Sequence, residues 1–134
     1  MSGLVIKLSP QERLLINGAV IENGERRSRL SILTPNTRVL RLRDAIRPDE
    51  AGTPVRRVCY LAQLVLSGDA EAEDIQRHLL RGIEQLSQVF TDPDSRALLH
   101  AATEGVVSGE PYVTLRSLRA LLPREARLMA VRLS

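Results

Sequence analysis

Aromatic residues are nearly missing from this chain: two Tyr, one Phe and no Trp in 134 residues. Readers of single-stranded nucleic acid usually stack bases on such rings. The three present, Tyr60, Phe90 and Tyr112, all fall in the predicted helical part. Cysteine is down to one, Cys59, which excludes an intramolecular disulfide and fits a reducing compartment. Cys59 sits in the most apolar predicted helix, where a buried thiol is inert. No apolar run approaches the roughly 18 residues of a membrane span. Met1-Ser2-Gly3 leads straight into a strand pattern, without the basic region and apolar stretch of a signal peptide. The expected location is therefore cytoplasmic. The two histidines, His78 and His100, lie on separate predicted helices without a metal-ligand partner at suitable spacing. Gly18 and Gly24 each follow Asn in turn signals, so neither belongs to a phosphate-cradling loop. The acidic run Asp69, Glu71, Glu73 and Asp74 lacks the alternation and closing Glu of a calcium loop. It crowds a helix start instead, where the helix dipole favours negative charge. Nothing here supports catalysis, and neither a metal nor a cofactor is expected.

Lysine is scarce too, since 18 of the 19 basic residues are Arg. Arginine favours planar, bidentate contact with phosphate or carboxylate. The formal net charge of +3 hides a segregation. Residues 1–57 carry 11 basic against 6 acidic residues, 58–110 carry 3 against 9, and 111–134 carry 5 against 1. The two basic ends either neutralise the acidic middle or form a surface for a polyanion.

The pattern predicts an α+β protein, with a five-stranded antiparallel β unit over 1–47, a linker over 48–54 and a helical region over 55–134 holding about four helices. Strands are predicted at Leu4–Leu8, Glu12–Ile16, Ala19–Glu22, Glu25–Leu33 and Thr37–Ile46. Asn17-Gly18 and Asn23-Gly24 read as tight hairpin turns, because both residue types tolerate positive φ. Five short strands with such turns predict a small barrel or a twisted meander. Pro54 suits a first helical turn with Thr53 as cap, and Ser67-Gly68 ends that helix. Ala72, Ile75, Leu79, Ile83, Leu86 and Phe90 recur at helical steps. Asp92-Pro93 starts a third helix and Pro111 a fourth, which Pro123 interrupts. The tail Glu125 to Leu133 has the pattern of a further short helix or strand.

Two predicted strands alternate arginine with apolar residues. Arg41 and Arg43 share one face opposite Leu40 and Leu42, and Arg27 and Arg29 share one face opposite Leu30 and Ile32. As neighbours they would form a positive sheet surface. The candidate RNA-contacting set is Lys7, Arg27, Arg29, Arg41 and Arg43. A rival reading is a protein adaptor acting through the helical region, with its acidic middle and exposed-looking Val106, Val107 and Val113.

A longer series of residues carries a family resemblance. It runs Leu8, Pro10, Glu12, Arg13, Ile16, Asn17, Gly18, Ala19, Val20 and Ile21, then Arg29 and Leu30, the strand exit at Ile46, Thr53-Pro54-Val55-Arg56-Arg57 and Leu66-Ser67-Gly68-Asp69. In order and spacing it resembles the FlbT family of flagellin-synthesis regulators from alphaproteobacteria. That resemblance implies a non-enzymatic, post-transcriptional repressor that binds the 5′ untranslated region of flagellin mRNA. It also implies FlaF as a companion protein in the same pathway, and in the adaptor reading the partners are FlaF or flagellin. The N-terminal third is more distantly similar to the carbon storage regulator family, whose intertwined β dimers bind messenger leaders. This second likeness implies a homo-oligomer through the β unit and places Arg43 on that family's RNA-contacting arginine. The middle hairpin here is shorter than in that family.

Overall fold

The computed structural model describes residues 4–35 and 37–133. Five strands come first: β1 (Leu4–Leu8), β2 (Arg13–Ile16), β3 (Ala19–Glu22), β4 (Ser28–Ile32) and β5 (Val39–Arg41). They form two antiparallel sheets, a β1–β4 ribbon and a three-stranded β3–β2–β5 sheet. Among the described residues, β2 and β3 alone make a sequence-adjacent hairpin. Asn17 (φ 50°) and Gly18 (φ 85°) turn it with the positive φ expected of Asn-Gly. The expected meander is not formed, because β1 pairs with β4 and β2 pairs with β5. Asn23-Gly24 accordingly joins two sheets and is not a tight hairpin. Asn23 instead braces that connection: its Nδ2 donates to the Ser9 and Arg26 carbonyls at 2.7 and 2.9 Å, and its Oδ1 accepts from Ser28 Oγ at 2.7 Å.

The three-stranded sheet separates two apolar clusters. Leu14 and Val39 turn toward the ribbon and pack with Ile6 and Leu8. Leu15 and Leu40, one residue along each strand, pack into the helical core. Alternate side chains point to opposite faces, so these two strands are covered on both sides. This corrects the expected face of the fifth strand. Leu42 does not share Leu40's burial, because the strand stops at Arg41 and Leu42–Asp44 forms a 3-10 turn.

The helices are α1 (Pro54–Ser67), α2 (Ala72–Ser87), α3 (Pro93–Val107), α4 (Pro111–Arg119) and α5 (Leu122–Leu133). Among the described residues there are five: about four that the pattern predicts, and a fifth over the tail, where it admits a short helix or a strand. Pro123 sits in the first turn of α5, where its missing N–H costs nothing, so it begins a helix rather than interrupting one. Thr53 caps α1 by accepting from Arg56 N–H at 3.3 Å, and Gly68 closes it at φ 82°. Buried Val55, Val58, Cys59, Ala62 and Leu66 make α1 the central element, as its apolar pattern predicts.

Side chains tie the segments around α1 together. Gln63 of α1 accepts from Ile46 N–H at 2.7 Å and donates to the Ile46 carbonyl at 2.8 Å. Buried Glu125 of α5 accepts from Thr53 Oγ1, and from Val55 N–H at 2.8 Å. A carboxylate on those first-turn donors is favoured by hydrogen bonding and by the helix dipole.

The α3–α4 crossing depends on Gly105. A Cβ there would meet Thr114 Oγ1, the Thr114 amide nitrogen at 2.9 Å and the Glu110 carbonyl at 3.0 Å. Thr114 is itself held, donating to the Ala102 carbonyl at 3.0 Å. Gly105→Ala should gain about 1 kcal/mol of helix propensity and lose more to overpacking, for a net loss of roughly 1–2 kcal/mol. Urea denaturation of the two proteins checks the sign.

Candidate nucleic-acid interface

The interface begins with a carboxylate. Ser9-Pro10-Gln11-Glu12 turns the chain, with Glu12 N–H donating to the Ser9 carbonyl at 3.2 Å and Gln11 at φ 59°. Pro10 and a positive φ at the next position match a type II turn. Glu12 then lies on the same strand face as Leu14, and its side chain is only 4% exposed. Arg41 comes to it from β5. The Arg41 Nε donates to Glu12 Oε2 at 2.5 Å, and Nη2 donates to Oε1 at 2.7 Å and to the Lys7 carbonyl at 2.7 Å. Ser9 N–H adds a bond to Oε1 at 3.0 Å. Arg43 approaches the same carboxylate more loosely, at 3.6 Å, with its side chain half exposed. The Arg41 hydrogen bonds outweigh the cost of burial and hold the Glu12 carboxyl down at about 2. Reciprocally, the bond to Glu12 raises the Arg41 pKa.

Around this pair lie the other predicted cations. In the ribbon, Lys7 is directly opposite Arg29 and Val5 opposite Ser31. All four are exposed, while Ile6 and Leu8 point into the core. Lys7, Arg27, Arg29, Arg41 and Arg43 all border one open depression of about 620 Å³, together with Ser9 and Ser28. The sequence places the two arginine pairs on neighbouring strands. The structure puts β4 and β5 in different sheets and brings the pairs to one depression across the gap between them. Arg41 and Arg43 also no longer share a strand face, because the 3-10 turn begins at Leu42.

The five differ in what holds them. Arg41 is committed to Glu12, and Arg43 leans on it. Among the described residues, Lys7, Arg27 and Arg29 form no ion pair. Like charges directly opposite on a sheet are destabilising, so Lys7 against Arg29 is a feature that folding alone does not favour. The acidic middle does little to offset the basic ends. Among the described residues, Arg124 with Asp92 is the one ion pair joining it to either of them.

Other candidate groups are accounted for by the fold. Cys59 is fully buried, and burial pushes its thiol up to about 12. His78 and His100 are exposed. Among the described residues no cluster of His, Cys, Asp and Glu could hold a metal ion. Nor is any helix among them long and apolar enough to cross a membrane. Of the C-terminal arginines, Arg119 pairs with Asp44 at 3.1 Å and Arg124 with Asp92 at 3.0 Å, while Arg116 lies 5.9 Å from the Tyr112 ring centre.

Glu12 is the residue that sequence reasoning overlooks. Its signal is present, since Glu12, Leu14 and Ile16 alternate onto one face and a carboxylate on an apolar face needs a partner. Which cation answers it depends on β2–β5 pairing, which the alternation does not specify.

Comparison with known proteins adds the family. The family model described as "Flagellar protein FlbT" matches residues 4–129. A probable flagellum biosynthesis repressor protein FlbT of Caulobacter sp. strain K31 is 32% identical over 122 residues, covering 91% of this chain and 92% of that protein. A homologue named in the same terms from Bradyrhizobium diazoefficiens is 32% identical over 127 residues, covering 93% and 84%. The flagellum biosynthesis repressor protein FlbT of Caulobacter vibrioides is 29% identical over 122 residues, covering 91% and 86%. No solved structure matches. With nearly its whole described length aligned to the family, this chain belongs to the FlbT family of flagellar proteins.

Proposed function

We propose that this chain represses flagellum biosynthesis by binding the 5′ untranslated region of flagellin mRNA, with the cationic depression as the contact surface. The names of the relatives support the repressor part of this reading. The RNA part rests on one observation above the rest: Lys7 opposes Arg29 beside Arg27 and Arg43, and among the described residues three of these four lack any ion partner. A polyanion laid across the depression turns that repulsion into attraction. Among the described residues no ring lines the surface, so the contact is made to phosphates by guanidinium and ammonium groups, with Ser9 and Ser28 at the margin. Such contacts position RNA strongly and read its sequence weakly.

Nuclease-treated protein titrated with a flagellin leader RNA at several salt concentrations tests the reading. The logarithm of the affinity should fall linearly with the logarithm of salt, with a slope of roughly −2 to −4 for three or four neutralised phosphates. Absence of binding at low salt, or binding indifferent to salt, would sink it and leave the adaptor reading in its place.

A further inference from the structure

A second surface lies in the helical region and owes nothing to the RNA reading. Between α1 and α2 runs a groove of about 360 Å³. Its walls follow helical spacing: Arg57, Val58 and Leu61 on one side, and His78, Arg81, Gly82 and Gln85 on the other. Gly82 sets the crossing, because a Cβ there would stand 2.7 Å from Val58 Cγ2. Half-buried Leu61 and Val89, 61% exposed, are the accessible apolar side chains of the groove, and buried Val58 and Leu86 form its floor. The rim is cationic. Arg57 and Arg81 supply that charge, and among the described residues no carboxylate lines the groove, although residues 58–110 carry nine acidic residues against three basic ones. Among the described residues Arg57 and Arg81 form no ion pair; Arg57 reaches only the Gly52 carbonyl, at 3.3 Å.

We infer that this groove docks an acidic amphipathic helix of another protein. Two facing helices with an apolar furrow accept a third helix through anchors spaced three, four and seven residues apart. The α2 wall from His78 to Ser87 is about 14 Å long, room for roughly two and a half turns. The rim decides the sign of the partner: glutamates or aspartates flanking the anchors meet Arg57 and Arg81, whereas a basic helix meets like charge.

The test is a display library of 15-residue helices. Leu is fixed at the first, fourth, fifth and eighth positions of the apolar face, and flanking positions are randomised between Glu and Lys. Selection on the full chain should enrich Glu, and the enriched peptide should bind the R57E/R81E variant about tenfold or more weakly. Val89→Asp, at an exposed site that spares the fold, should weaken it as well. Leader-RNA affinity should be unchanged in R57E/R81E, so this proposal and the RNA reading fail separately. Equal recovery of Glu and Lys, enrichment of Lys, or Glu enrichment that persists in R57E/R81E would overturn the inference. So would a wild-type dimer that R57E/R81E dissociates, since the groove would then hold a second copy of this chain.

Discussion

Glu12→Gln should lower the unfolding free energy by about 2–3 kcal/mol and the melting temperature by roughly 6–12 °C. The variant keeps the shape of the side chain and removes its charge. Arg41, which donates three hydrogen bonds from a mostly buried position, is then left with a neutral amide in place of a carboxylate. Removing one partner of such a pair costs more than the pair is worth, because the other charge stays where it is. Acid should reproduce the effect in the native protein. The folded pKa of Glu12 lies below its ordinary value, at about 2 against 4.5, so its contribution is complete above 4.5. It is lost as the pH falls from 4.5 toward 2. Allowing for solvent around the exposed edge of Arg41, this contribution is about 2 kcal/mol. Chemical denaturation at pH 7 and pH 3 should therefore show a smaller difference for Glu12→Gln than for the native chain. Equal pH dependence in the two proteins would show that the bidentate pair does not form. The same reasoning changes how binding is tested: Arg41→Ala disturbs the fold before it reports on any ligand.

The triple variant Lys7→Ala/Arg27→Ala/Arg29→Ala should bind flagellin leader RNA about 100- to 1000-fold more weakly near 0.1 M salt. Its salt slope should be flatter by roughly 2–3, or about 0.7–0.9 for each lost phosphate contact. All three side chains are exposed and form no ion pair among the described residues, so the fold loses nothing by their removal. Separating Lys7 from Arg29 also relieves a like-charge cross-strand contact, a gain of a few tenths of a kcal/mol. Binding and stability should thus move in opposite directions, a combination that general unfolding does not produce. Arg47→Ala is the control. It removes one positive charge from a residue that pairs with Asp49 and Glu50 and does not border the depression. If Arg47→Ala flattens the slope by a third of the triple effect, net charge rather than the depression carries the binding.

Several elements were legible in the residues because their causes are local. The Asn17-Gly18 turn follows from residues that accept positive φ, and Gly68 at φ 82° ends α1 for the same reason. Thr53 and Asp92 cap their helices with their own side chains. The stripe of Leu79, Ile83, Leu86 and Phe90 is buried as its spacing predicts. The exposure of Lys7 and Arg29 follows from alternation within their own strands. The tail pattern admits a short helix or a strand, and Pro123 does not decide between them, because proline ends one helix and starts another with equal ease.

Strand partnership is a different kind of fact. Alternation says which residues share a face and nothing about which strand lies alongside, since every backbone offers the same donors and acceptors. That choice belongs to the packing of the two clusters. Leu14 and Val39 fill one, Leu15 and Leu40 the other, and β2 beside β5 serves both. This pairing makes Arg41 an anchor for Glu12, and the β1–β4 pairing sets Lys7 against Arg29. The sequence by itself determined that arginines would line an exposed edge. Tertiary structure alone decided which of them is bonded within the fold and which, among the described residues, stand without an ion partner, because that depends on the distance to a carboxylate 29 residues away in the chain.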